Sequence, residues 1–491
     1  MRPLEINSHT GNPNGILETS TNGALMKHVA WFTPLPPIHS DIARHNAELL
    51  PLLAKTHRID VFLDSLGDTP LNGAAGIFNA HDFVWKHNRK PYDLVVYQLG
   101  TSIHHDYMWP YLVNYPGLVA LHDGQLHHSR RRALLKANRA NDYRLEFAYN
   151  HPTTDGGIAE LGISGSPWSQ DYLWTGSLGS LNYLWPMRRV VLDSARVVLV
   201  HNSWLAEELQ EESPRTPVAS VEMGVPSLRP VNENGQSIRQ RHRVPDEVTL
   251  FATIGDLTPE KRIFETLKAL AALKSEISPW HLLLCGQTVD HYDAQAEAQR
   301  LGITEKVSIV DNITDEELSN LISAADVCVC LRWPPCREAS ASWLRCLSAG
   351  KPTVITDLIH TSDVPSLDPR NWMEVGGLPG RTSQGLSIEA ACVSIDILDE
   401  HHSLTLALAR LAVDSNLRTS LGSAARRLWS DRFTLERMAT DYEIAIVTAL
   451  ETPHDRDRQS NLPRHLRQDG TETLRTLLQD FGMSSNTLLG R

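Results

Sequence analysis

The chain of 491 residues is 41% hydrophobic and 21% charged, with a formal net charge of -12. That length suits two to three soluble domains of roughly 150 residues each, and the acidic balance excludes broad nucleic-acid binding, which needs a basic surface. No apolar run reaches the roughly 18 residues of a membrane-spanning helix.

Residues 1–25 are dominated by Asn, Thr, Ser and Gly, which predicts a disordered segment. They carry no basic stretch followed by an apolar core, so a secretory signal is not expected and the cytoplasm is the expected location. Order begins with a strand at His28 to Thr33. Pro34, Pro36 and Pro37 end it, and Ser40 is a suitable N-cap for a helix running through Ala43, Ala47, Leu50 and Leu53. Further strands are predicted at Ile59–Leu63, Leu94–Gln98, Leu118–His122 and Val197–His201, with helical patterns between most of them. This alternation predicts a parallel, doubly wound sheet. Residues 140–185 interrupt the rhythm with Gly, Ser, Asn and aromatics, and read as a long irregular segment such as an acceptor-side loop or lid.

A polar, Pro-containing stretch near 226–245 reads as a linker. A second alternating series follows, with strands at Leu250–Ile254, Leu282–Cys285, Val307–Val310, Val327–Leu331 and Val354–Thr356. The expected domains are therefore 26–225 and 246–430, both Rossmann-like. A C-terminal helix is expected at 431–450, then a tail at 451–491. In that tail Leu474, Leu477, Leu478 and Phe481 form one apolar stripe on a short helix. The stripe is expected to dock on its own protein, with a partner or membrane surface as the alternative.

Two such halves place the C-terminal ends of both sheets around one cleft, where ligands of open α/β sheets bind. The first half delivers Ser40 and Asp41, then His122 and Asp123 followed by His127 and His128, then His201, Asn202 and Ser203. A histidine beside an aspartate at a strand end suits a general base, a hydroxyl binder or a metal ligand, and equally a histidine satisfied by backbone carbonyls. A metal site from His122, Asp123 and His127 has no recognised ligand spacing, nor does one from Cys328, Cys330 and Cys336. The six cysteines read as reduced, packed thiols. The basic run Arg130, Arg131, Arg132, Lys136 and Arg139 reads as a solvated helix face, or as a patch for an anionic acceptor or lipid headgroup.

The second half delivers Gly255 to Arg262 after its first strand. Lys261 and Arg262 oppose the dipole of the helix they begin, which makes sense if they face a bound diphosphate, with solvated surface charges as the alternative. Its most informative stretch runs from Leu331 to Asp357. Glu338 precedes three small residues, Ser340, Ala341 and Ser342, at a helix start. Small residues let a ligand approach the exposed N–H groups, and the dipole favours an anion there.

In their order, PLPPIHSDIA (34–43), YDLVVYQLG (92–100), PGLVALHD (116–123), VLVHNSWLAEEL (198–209), GDLTPEKRI (255–263), REASASWLRCLSAGKP (337–352) and VSIDILDEHHSLTLALARLAVD (393–414) resemble the motifs of glycosyltransferase family 4. The resemblance covers about residues 26–445. It implies the two-domain GT-B fold, a nucleotide-sugar donor held mainly by the second domain, and a carbohydrate, lipid-linked or other hydroxyl acceptor at the first. It also implies transfer of a hexose with retention of configuration, without an obligatory metal or other cofactor. Carried over, it makes Glu338 the contact to the donor sugar and Ser340–Ser342 the cradle for its phosphates. Lys261, with Arg262 and Gly255 beside it, becomes the diphosphate site, and His122 the strand-end histidine near the reacting sugar. Ser40, Asp41, Asp123, His127 and Arg131 fall on the expected acceptor side. The sequence departs from the family at Asp41, where glycine is usual, at Asp256, where arginine is common, and at Cys346, where a second glutamate is usual.

Overall fold

The computed structural model describes residues 26–38, 40–66, 73–164, 179–228, 235–273, 279–289, 292–311, 313–335, 337–377, 390–468 and 472–483. The expected disorder of 1–25 lies outside them. In the first half, strands β1 (Lys27–Phe32), β2 (His57–Leu63), β3 (Gly76–Asn79), β4 (Leu94–Leu99), β5 (Leu118–Leu121), β6 (Val197–Val200) and β7 (Val218–Ser220) form a sheet of order β3-β2-β1-β4-β5-β6-β7. Every pairing in it is parallel. Its central strands are buried along their whole length, which is why they read as continuous apolar runs. The edge strands β3 and β7 are short and only partly buried, so their sequences carry little apolar signal.

The second half holds β8 (Thr249–Ile254), β9 (Trp280–Cys285), β10 (Val307–Val310), β11 (Val327–Cys330), β12 (Thr353–Thr356), β13 (Ser366–Leu367), β14 (Glu374–Val375) and β15 (Cys392–Ile395). Their order is β10-β9-β8-β11-β12-β15-β13-β14, parallel except for the β13–β14 pair. Both halves are thus Rossmann-like, as expected.

The helices that matter for the site are α1 (Asp41–Leu53), α2 (His127–Lys136), α3 (Ala140–Asn150), α4 (Ile263–Ala271), α5 (Ala341–Ser348), α6 (Glu400–Val413), α7 (Ser415–Arg432), α8 (Leu435–Glu451) and α9 (Glu472–Asp480). One apolar cluster runs from Trp31 and Leu49 through Tyr442 to Trp343 and Leu347, so the C-terminal helices weld the halves together. Helix α8 packs on the first half: His57 Nε2 lies 2.6 Å from Glu443, and Tyr442 is fully buried.

Several expectations are corrected here. The described part of 140–185 is helical rather than irregular, at α3, Gly157–Ser164 and Gly179–Leu184; 165–178 lies outside the described residues. The expected linker contains a helix, Gly235–Arg241. The tail does dock, but through Leu462 and Leu466, which enter the first half's core. The stripe on α9 stays exposed, with Leu477 at 52% and Phe481 at 74%.

The start of the basic run, Arg130 to Arg132, is an interior strut, while Lys136 and Arg139 at its end are exposed as a solvated face would be. Arg130 is paired with Glu146 (Nε to Oε2, 2.8 Å) and stacks on Trp109 at 4.0 Å. Arg131 donates to the Gly162 carbonyl at 2.6 Å, and Arg132 to the Thr101 carbonyl at 2.9 Å and to Asp106 at 3.1 Å. Helix α2 is covered by α3 and its neighbours, so its arginines must find partners inside.

Candidate functional site

The strand-end loops of both sheets meet in a cleft. A cavity of about 950 Å³ is lined from the first half by Ser40, Asp41, His45, Thr101, His122 and Asp123, and from the second by Asp256, Lys261, Arg332 and Glu338–Ser342. A second cavity of about 930 Å³ continues along Gly255, Thr258, Lys261, Gly286, Gln287 and Ser342. A third, of about 840 Å³, opens on the far side of Glu338, between Asn202, Trp343, His360 and Phe433. Glu338 and Ser340 line both the first and the third, and Lys261 and Ser342 both the first and the second.

Local structure explains the second-half side. Ser340 caps α5, accepting from Trp343 N at 3.3 Å, so the first N–H groups of a helix face the cavity across small side chains. Arg337 holds φ +63, and its carbonyl accepts from Asn202 of the first half at 2.9 Å, which sets the loop that presents Glu338. Glu338 is paired with Arg332 at 2.5 Å. Arg332 lines all three cavities and was not anticipated, although its place just past β11 follows the strand-end rule.

Gly255 has φ +99, and a Cβ there would lie 2.4 Å from Lys261 Nζ and 3.3 Å from Ser342 Oγ. Only glycine lets these elements converge. Lys261 donates to the Ile254 carbonyl at 2.8 Å. Burial and Arg332 lower its pKa, while Asp41 and Asp256 act to raise it. Both carboxylates that depart from the family pattern therefore face this lysine.

Arg262 does not join it. Its backbone turns left-handed at φ +54 and its guanidinium pairs with Glu400 at 2.7 Å, away from the residues that line the cavities. His127 is likewise placed elsewhere: fully buried, it bonds the Leu181 carbonyl at 3.0 Å and Tyr143 Oη at 2.7 Å. The buried Arg131 is also absent from the cavity walls. Cys346 is packed in the core beside Cys328, and Cys336 lies outside the described residues.

Asp123 is held by Thr101, whose N–H and hydroxyl donate at 3.1 and 3.0 Å. Burial and the facing Glu338 push its carboxyl up to about 6. His122 is 6% exposed, and its Nε2 lies 2.7 Å from Gln98 Oε1. Instead of meeting Asp123 and His127 in a metal set, it meets His45 of α1 and His201 at the end of β6. One nitrogen from each of the three lies within 4.8 Å of the others. Burial lowers the pKa of all three, His201 to about 4. No local signal pairs these residues, because only the fold brings α1, β5 and β6 together.

A family model described as glycosyl transferases group 1 matches residues 234–363. No curated protein matches the sequence. Among solved structures, WaaG, a glycosyltransferase involved in lipopolysaccharide biosynthesis, is similar over 86% of this chain and 99% of its own, with TM-score 0.55 and 16% identity. Sucrose-phosphate synthase from Thermosynechococcus elongatus is similar over 85% and 98%, with TM-score 0.54 and 16% identity. Anabaena HepE in complex with UDP and glucose is similar over 86% and 100%, with TM-score 0.51 and 12% identity. The fold is that of GT-B glycosyltransferases.

Proposed function

We propose that this protein is a retaining glycosyltransferase that moves a hexose from a nucleoside-diphosphate sugar to a hydroxyl acceptor. The observation that carries the reading is the convergence of Lys261 and the N-terminus of α5 on one cavity with Glu338 beside them, and with Gly255 leaving room for the lysine. A departing diphosphate gains negative charge as the bond from the sugar's anomeric carbon to its oxygen breaks. A cation and unpaired helix N–H groups fixed beforehand stabilise that charge without reorganising. Glu338, held by Arg332, suits the sugar hydroxyls. Asp123 and Thr101 on the opposite wall suit the acceptor hydroxyl that forms the new bond, and His122 contributes to the same wall. The cavity between Gly255, Thr258 and Gln287 is the place for the nucleoside. The family match and the likeness to HepE with bound UDP and glucose support a uridine nucleotide as the first donor to test.

The side chains alone supply the charges this chemistry needs, so we expect it to proceed without metal or other cofactor. We assign it to the cytoplasm or the inner membrane face, where lipid-linked or carbohydrate acceptors of glycan synthesis are available. A second reading is a GT-B protein that binds ligands without turnover. The two carboxylates facing Lys261 favour it. Purified protein incubated with UDP-, GDP- and ADP-sugars separates the two. Release of the nucleoside diphosphate, with thermal stabilisation by the same donor, supports transfer. Stabilisation without release supports the binding protein, and no stabilisation at millimolar donor overturns both.

A further inference from the structure

The three histidines at the cleft wall, of which only His122 has a place in the transfer reading, are arranged as a ligand set. His122 and His201 pack with ring centroids 4.8 Å apart, and His45 lies 5.3 Å from the first and 5.5 Å from the second. All three are buried, at 5%, 6% and 5% exposure for His45, His122 and His201.

The outer nitrogens of two of them are committed. His201 Nδ1 lies 3.0 Å from the Val221 carbonyl, which can only accept, so the proton sits on Nδ1 and the lone pair on Nε2. His122 Nε2 is held by Gln98 Oε1, which leaves the lone pair on Nδ1. Metal-ligating histidines almost always donate their other ring N–H to an oxygen in this way. Nε2 of His45, Nδ1 of His122 and Nε2 of His201 are inaccessible and have no hydrogen-bond partner among the described residues. Buried polar nitrogens left so are costly, and a cation shared by their lone pairs removes the cost for all three at once.

We propose that His45, His122 and His201 bind one divalent transition-metal ion, with zinc as the preferred occupant. Three neutral imidazoles with water in an open fourth position suit zinc, and the cavity that His45 and His122 line supplies the water. Zn–N bonds of about 2.0–2.1 Å place tetrahedral ligand nitrogens about 3.4 Å apart, so modest ring rotations close the set. The cation that faces His45 is Arg345, and its charge is taken up by Glu48 at 2.7 Å. The ion would pin α1 to the ends of β5 and β6 and stiffen one wall of the cleft. The site lies within the first half and does not rest on the transfer reading.

The full-length protein, stripped with chelator and titrated with ZnCl2 by calorimetry, should take up about one equivalent per chain. Its unfolding midpoint should rise with free zinc. His45→Phe and His201→Phe should each weaken zinc binding by more than the roughly 10–100-fold that follows loss of an outer-shell partner. His401→Ala, on an exposed histidine of α6, should bind zinc as the parent does. Absence of binding in the parent protein, or unchanged binding in both phenylalanine variants, overturns the site. Should those variants not fold, the Co2+ spectrum of the parent decides. Intense visible bands that zinc abolishes support the site, and a weak octahedral spectrum overturns it. None of these readouts involves a sugar donor.

Discussion

Arg345, on the helix that carries the small-residue cradle, donates to Glu48 on α1 of the facing half at 2.7 Å. The two side chains are 7% and 21% exposed. This pair accounts for the missing second glutamate: position 346 points into the core, and its neighbour is a strut between the halves. Glu48→Ala strands a buried guanidinium and should cost about 3–5 kcal/mol in urea unfolding, with Arg345→Ala costing less because Glu48 lies nearer water. A loss under about 1 kcal/mol for Glu48→Ala would place the pair among solvent-screened contacts.

Lys261→Ala removes a fixed positive charge that matters most as the diphosphate leaves, and Glu338→Ala removes the carboxylate that accepts from the donor sugar's hydroxyls. Each should lower turnover about 100-fold, the scale of ~3 kcal/mol for one such contact, with unchanged circular dichroism. Steady-state rates of nucleotide release check this, and near-parental turnover in either variant would take that residue out of the reaction.

Asp41 is paired only loosely with Arg44, at 3.8 Å, and its side chain is 66% exposed. It faces the lysine assigned to the diphosphate. Asp41→Gly should therefore tighten donor binding roughly fivefold, the ~1 kcal/mol of a solvent-screened charge interaction. Calorimetric titration with the donor measures it, and an unchanged or weaker affinity would mean that the carboxylate does not meet the phosphates.

Gly255→Ala combines a left-handed backbone with a Cβ 2.4 Å from Lys261 Nζ. The backbone alone should cost about 1–2 kcal/mol of stability. The displaced lysine should weaken the donor as well, so the midpoint of unfolding and the donor Kd must move together. A stability loss with unchanged donor Kd would separate Gly255 from the site.

Glu146 is fully buried; burial raises its pKa, but Arg130 and His465 outweigh that and hold it at about 2. Its folded pKa lies below the unfolded value of 4.5. The stability it contributes is therefore complete above pH 4.5 and is lost as pH falls toward 2. Unfolding midpoints measured across that window should drop more steeply for the parent than for Glu146→Gln, which has no charge to neutralise. Parallel profiles would remove Glu146 from the acid response.

Burial on both faces makes a central strand apolar along its length, so β4, β5, β6, β8 and β9 are legible in a single sequence. β3 and β7 are not, because both are short and only partly buried along their length. The Gly255–Lys261 turn and the Ser340–Ser342 cradle are equally legible, since each lies within one strand–loop–helix step where spacing controls geometry. The arginines of α2 misled, because helical periodicity says which residues share a face but not whether another helix covers it.

The sequence by itself therefore determined the two sheets, the cleft at their strand ends and the anion-binding side of that cleft, all of which follow from local pattern. Tertiary structure alone decided the pairing of Arg345 with Glu48, the burial of Arg130 and Arg131, and the return of α8 and the tail to the first half. It also decided the meeting of His45, His122 and His201. These depend on contacts between residues far apart in the chain, and no periodicity or spacing encodes which distant side chains packing will bring together.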